Sequence, residues 1–307
     1  MIWNSGVLRR SLVALTSLLF VLGLAIQAHA FCRQNACRDN PETGRLCGRD
    51  EVGCINEGVT LYYSTPCLSF GVARGAGAVL EFSDQEFEAI VSEAFRAWKS
   101  VDCGGGQPPG FEVQSVGTID VDGNFFCESE VGANLSVWTS VSQWTYKRDA
   151  LGYTSSMYAI ETGEVFDADV ELNLEKVRAE FPKERWRQVL LSVMTHEAGH
   201  FLGIGHSTDS RAVMAGAYSD FDLLNRRLTD DDVQAICTIY PPAALQCGEP
   251  SYSQAALDEQ ACEELARARG EDAAGCSVHA VRSGSSSTWM WGIAALGLCW
   301  VRRRYGT

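Results

Sequence analysis

The chain has 307 residues, 39 acidic against 25 basic side chains, a formal net charge of -14, and 46% hydrophobic residues. That balance argues against a nucleic-acid partner, because phosphate recognition needs clustered Lys and Arg. It leaves ample apolar material for a folded core.

Arg9 and Arg10, an apolar run from Leu12 to Ile26 and the small-residue ending Ala28-His29-Ala30 predict a secretory signal peptide over residues 1–30, cleaved after Ala30. The paired arginines raise twin-arginine export beside the general route. Residues 31–58 form a Cys-rich N-terminal segment. Of 12 cysteines, Cys276 and Cys299 lie near the tail; Cys32, Cys37, Cys47, Cys54, Cys67, Cys103, Cys127, Cys237, Cys247 and Cys262 remain. An even set in an exported chain predicts disulfides, with the pairing left open. The alternative for one N-terminal cysteine is to block a metal site. No Cys-x-x-Cys pair occurs, which argues against a cysteine zinc finger or a thioredoxin-like site.

Residues 59–241 read as one domain without internal repeats. "VTLYYSTPCLSFGV" and "FEVQSVG" read as strands. Between them Ser83 is the expected N-cap of a helix, with Glu86 closing a capping box and Phe87, Ile90, Val91, Ala94 and Trp98 on one apolar stripe. "NLSVWTS", "LGYTSSMYAI" and "GEVFDADVELN" alternate as three further strands. A second helix is expected from near Pro182 to Gly203, with Val189, Val193, His196 and His200 within roughly 60° of one another on its surface. "LTDDDVQAICTIY" forms the last helix, capped by Thr229 with Asp232. "DVDGN" at 120–124 weakly resembles a calcium loop, but Val131 stands where the twelfth-position acceptor should be, so a plain turn is favoured over Ca2+.

The C-terminal part reads as a polar linker over 242–284, with one short helical pattern at 257–267, and an apolar anchor with a basic end over 285–307. The apolar run, "TWMWGIAALGLCWV", is short for a bilayer span, so a buried helix is its alternative; Arg302, Arg303 and Arg304 directly after it favour an anchor with its positive side in the cytoplasm. Cys276, the apolar run and the arginines together resemble the Myxo-CTERM type of surface-sorting tag, which implies processing near Cys276 and display on the cell surface.

Three of the chain's five histidines stand in "THEAGHFLGIGHSTD". His196 and His200 are four apart, one turn apart on one helix face, where their rings can meet at one point. Gly203 allows the helix to end in the left-handed conformation, and the chain can turn back to bring in His206. Three neutral imidazoles suit zinc and leave a fourth position open, as a catalytic site requires. Glu197, about 100° round the helix from His196, can reach a water there without binding the metal. A chance match to the whole pattern is expected in about one sequence in 10⁵ of this composition. Serine and cysteine peptidase mechanisms fail for want of a spare histidine in the body. Zinc binding requires neutral histidines, so loss of metal and activity is expected in acid, roughly below pH 5.5.

"HEAGHFLGIGH" with Met214 in "RAVMAGAY" resembles the metzincin zinc endopeptidases, and within them the matrixins: Ser207 follows the third histidine, and "HSTDSRAVM" and "LTDDDVQAICTIY" keep matrixin spacing. The resemblance implies an α/β fold with a twisted, five-stranded mixed sheet, mostly parallel with one antiparallel edge, and three helices. It implies a zinc site between upper and lower subdomains, with substrate extended along the antiparallel edge. It also implies that His196, His200 and His206 hold zinc, that Glu197 is general base and acid, and that Met214 forms the floor under the metal. Gly216 stands where matrixins usually have Pro, and Tyr218 keeps the second half of the specificity-pocket wall. The propeptide Pro-Arg-Cys-Gly motif is absent, and residues 31–58 are too short for the family's prodomain. The expected protein is a secreted or surface-anchored monomeric endopeptidase acting on protein or peptide substrates. The alternative is a surface binding or adhesion module on an inactive metzincin fold; a zinc hydrolase of another bond is a third reading.

Overall fold

A computed structural model describes residues 30–37, 46–120, 136–141, 144, 146, 150–217, 227–248 and 274–282. The chain divides into two units, Met1–Ala30 and Phe31–Thr307, and the fold described is that of the second. The expected signal peptide up to His29, the helical pattern at 257–267, the C-terminal anchor, Cys127, Cys262, Tyr218 and the "DVDGN" stretch beyond Asp120 lie outside the described residues.

The Cys-rich segment carries β1 (Cys32–Arg33) and β2 (Asn35–Ala36), and β2 pairs antiparallel with β3 (Val59–Thr60). "VTLYYSTPCLSFGV" is not one strand: Pro66, which has no amide to donate, precedes a fresh start at β4 (Cys67–Ala73). Helix α1 (Asp84–Lys99) begins at the expected capping box, with Ser83 Oγ accepting from the Glu86 amide and the Ser83 amide donating to Glu86. Its stripe of Phe87, Ile90, Val91, Ala94, Phe95 and Trp98 is buried, each large side chain contributing roughly 1.5–3 kcal/mol of apolar burial.

Strands β5 (Glu112–Ile119), β6 (Ser136–Ser140), β7 (Ala150–Ala159) and β8 (Val165–Leu172) complete the sheet of the body. β4 runs parallel to β5 and β6, β6 parallel to β8, and β7 antiparallel to β8. The sheet is mixed, as expected, but it has six strands rather than five. A sixth, β10 (Ala274–Arg282), falls within the stretch read as linker and pairs antiparallel along β7, giving the order β10-β7-β8-β6-β4-β5.

Four α-helices occur among the described residues, not three. The extra one, α2 (Leu174–Glu180), is a short turn started by Asn173, whose side chain accepts from the Lys176 amide. Its two buried residues, Leu174 and Val177, are too few to show as a periodic pattern. Pro182 opens a 3-10 turn, Lys183–Arg185, that leads into α3 (Trp186–Phe201). α3 lies against α1, and Trp98 Nε1 donates to the Thr195 carbonyl at 2.8 Å. After β9 (Ile204–Gly205), α4 (Asp230–Ile239) starts at Thr229 as expected.

Among the described residues four disulfides fix the connections: Cys32–Cys54 and Cys37–Cys47 close the N-terminal segment, and Cys67–Cys247 and Cys103–Cys237 tie the start of β4 and the α1–β5 loop to α4 and the stretch after it. The four N-terminal cysteines are therefore all paired, and none offers a thiol to the histidines. Among the described residues no helix is long and apolar enough to cross a membrane.

Candidate metal centre

Along α3 one face changes its work from core to site. Val189 and Val193 are buried in the core, and the next two residues on that face, His196 and His200, are also fully buried. Gly203, at φ +92°, ends the helix and reverses the chain through β9 to His206. One ligating atom from each of the three histidines lies within 4.8 Å of the others. The ring centroids are separated by 4.5, 5.4 and 4.9 Å.

The ring orientations are set by backbone. His196 Nδ1 is 2.7 Å from the Val213 carbonyl and His200 Nδ1 is 2.8 Å from the Ile204 carbonyl. A carbonyl can only accept, so Nδ1 carries the proton and Nε2 keeps its lone pair, the tautomer a metal requires. His206 is packed against Gly216, where an added Cβ would stand 3.0 Å from Nδ1.

Glu197 is fully buried beside them. Thr154 Oγ1 of β7 donates to its Oε2 at 2.5 Å, while Oε1 is buried with no hydrogen-bond partner. Burial pushes its pKa up to about 8, against the lowering effect of the Thr154 hydrogen bond. A cation held by the imidazoles would draw it back down. Gly152, two residues before Thr154 on the same strand, makes room: a Cβ there would come within 2.5 Å of Glu197 Oε1.

Between His196 and His200 on the helix, Gly199 leaves space that the thioether of Met214, 1% exposed, fills next to Trp98. The turn that holds Met214 is itself held by α4. Asp232 accepts from the amides of Val213 at 2.9 Å, Met214 at 3.1 Å and Thr229 at 2.8 Å. Ser207 donates its hydroxyl to Asp231 at 2.7 Å and its amide to the Met214 carbonyl at 2.8 Å.

The structure thus brings together every described residue singled out from the sequence: His196, Glu197, His200, His206 and Met214. It adds Gly152, Thr154 and a second role for Asp232. Gly152 left a legible sign, a lone glycine inside a strand, which often marks a close backbone approach. Asp232 was readable only as a cap, and nothing in the sequence marks Thr154. Asp120, the described residue of the calcium-like stretch, is ion-paired with Arg74. A second grouping of donors, Cys37, Cys47 and Glu57, has both its sulfurs in a disulfide.

The matrixin family model matches residues 70–241. Human matrilysin is 46% identical over 50 residues, covering 16% of this chain and 19% of that protein. Human matrix metalloproteinase-20 is 38% identical over 66 residues, 22% of this chain and 14% of that protein, and rat matrix metalloproteinase-16 is 45% identical over 53 residues, 17% and 9%. The chain spans less than a fifth of the length of these relatives. Among solved structures, an archaemetzincin from Methanopyrus kandleri is 16% identical with a TM-score of 0.32, covering 58% of this chain and 98% of that one. A zinc-dependent peptidase from Methanocorpusculum labreanum is 10% identical with a TM-score of 0.30, covering 55% and 99%.

Proposed function

The chain belongs to the matrixin family, and from this premise we propose that it is a zinc-dependent endopeptidase in which His196, His200 and His206 hold the metal and Glu197 moves the proton. One observation carries the reading: three imidazoles, two of them fully buried, converge beside a buried carboxylate that has one oxygen uncommitted. The donor set fits zinc, since all three ligands are nitrogen, two are held in the required tautomer, and among the described residues no fourth protein ligand closes the group.

Zinc bound there would polarise the substrate carbonyl and the attacking water. The chain's own residues supply the rest. Glu197 Oε1 takes the proton of the water and returns it to the leaving amine, so that the peptide C–N bond is replaced by a carboxylate and a free amine. Thr154 holds Oε2 and keeps the carboxylate from rotating away. Gly152 lets β7 pass close to the reacting groups. An extended substrate would add to β7 through main-chain hydrogen bonds, the position that β10 takes along that strand. Occupation of this edge by substrate therefore requires β10 to move aside.

The four disulfides support an oxidising, extracytoplasmic setting, in keeping with the expected signal peptide and surface anchor. The test is Glu197→Gln in the full chain beside wild type, with bound zinc and cleavage of an unfolded protein both measured. Equal zinc and a loss of about 10²–10⁴-fold in turnover are expected for the variant. Zinc bound with turnover retained by Glu197→Gln refutes the role of Glu197; zinc bound with no cleavage by either favours the binding-module reading.

A further inference from the structure

The N-terminal segment is built onto the loop that separates two of the histidines. β1 pairs antiparallel with β9, Cys32 facing Gly205 and Arg33 facing Ile204, and these are the residues between His200 and His206. Gln34 extends the contact: its amide donates to the Gly203 carbonyl at 3.0 Å, and its side-chain Nε2 donates to the Ile204 carbonyl at 3.3 Å. That Ile204 oxygen is the one that fixes His200 Nδ1. Gln34 is 4% exposed, so these bonds form away from competing water.

Both flanks of Gln34 are fastened. On one side Cys32 is bonded to Cys54, and its sulfur lies so close to β9 that a Cβ on Gly205 would meet it at 2.7 Å. On the other side the Gln34 carbonyl accepts from the Leu61 amide at 2.9 Å, and β2 pairs with β3. Asn35 adds a side-chain bond to the Ile55 carbonyl at 2.8 Å. A short strand with only two paired residues would fray if free; the disulfide holds it in place.

We propose that Cys32–Gln34, closed by the Cys32–Cys54 disulfide, is a positioning element of the metal centre, with Gln34 orienting His200 through the Ile204 carbonyl and β1 fixing the path that delivers His206. This rests on the reading of the three histidines as zinc ligands. The segment supports the site rather than blocking it, and opening the disulfide loosens the hold on two ligands at once.

The test compares the full wild-type chain with Gln34→Met, which keeps the volume and removes both side-chain donors, and with Cys32→Ser/Cys54→Ser. Zinc affinity is read by competition with a chromophoric chelator, and ligand geometry from the visible absorption of the cobalt(II)-loaded forms. Both variants are expected to bind zinc about 10–100-fold more weakly, the scale of outer-sphere support, with a shifted cobalt spectrum. A purely structural part would lower the melting temperature of the metal-free chain and leave these two readouts alone. Wild-type affinity and an unchanged cobalt spectrum in the variants overturn the proposal, and Gln34→Met keeps the test open should the double serine variant fail to fold. A wild-type chain that holds neither zinc nor cobalt refutes the zinc reading itself.

Discussion

His196 and His200 are each oriented by one backbone carbonyl, yet the two carbonyls are secured in opposite ways. The Val213 carbonyl belongs to a turn whose amides end on Asp232, a buried carboxylate that also caps α4. The Ile204 carbonyl belongs to a strand of two residues that is covered by a neutral side chain, Gln34, and by a disulfide-closed segment. One support is charged and comes from the domain's own last helix. The other is uncharged, comes from the Cys-rich N-terminal segment, and depends on oxidation. The same job of holding a histidine's Nδ1 is thus divided between electrostatics and covalent closure, which makes the two sides respond to different insults.

Asp232→Ala should give the largest effect that separates them. It strips three amides of their acceptor, two of them in the turn that carries Met214, and should cost on the order of 3 kcal/mol, mostly through buried donors left unsatisfied. Urea unfolding of the metal-free protein measures it. If that variant unfolds like wild type, the α4 side is not the structural support described. Gly205→Ala probes the opposite side, since its Cβ must push against Cys32 Sγ and Cβ, at 2.7 and 3.1 Å. Overpacking there should cost about 1–3 kcal/mol in the oxidised protein, and reduction of Cys32–Cys54 should relieve part of it. Melting temperatures with and without reductant decide this, and an equal loss in both conditions would show that the disulfide is not what the side chain meets.

The smallest effect is a pH dependence confined to the charged side. Burial raises the Asp232 pKa above its ordinary 3.8, although the Thr229, Val213 and Met214 amides pull it back. Its folded pKa therefore lies above the unfolded one, and between the two values the folded chain binds more protons than the unfolded chain, so this residue's contribution to stability falls as pH rises. The difference in unfolding free energy between wild type and Asp232→Asn should be more favourable to wild type near pH 4 than at neutral pH, while Gln34→Met shows no such trend. Chemical denaturation of the metal-free forms at the two pH values measures it.

Much of the site could be read without coordinates because it is local. His196, Glu197 and His200 sit within one helical turn and a bit more, and Gly203 forces the reversal that brings in His206, so spacing alone places four groups. The capping boxes of α1 and α4 were legible for the same reason, each being contained in four residues. α2 was not, because two buried side chains make no period.

Separations of a few residues are enough to specify three convergent imidazoles with an adjacent carboxylate on a capped, alternating α/β body. Long-range assembly settles which cysteines pair, that Thr154 and Gly152 close on Glu197 from a strand some 40 residues away, that Asp232 serves a turn as well as its own helix, and that Gln34 reaches Ile204 across 170 residues. Those contacts join segments that meet only when the sheet and helices are assembled, and their geometry depends on burial and backbone paths that no local pattern encodes.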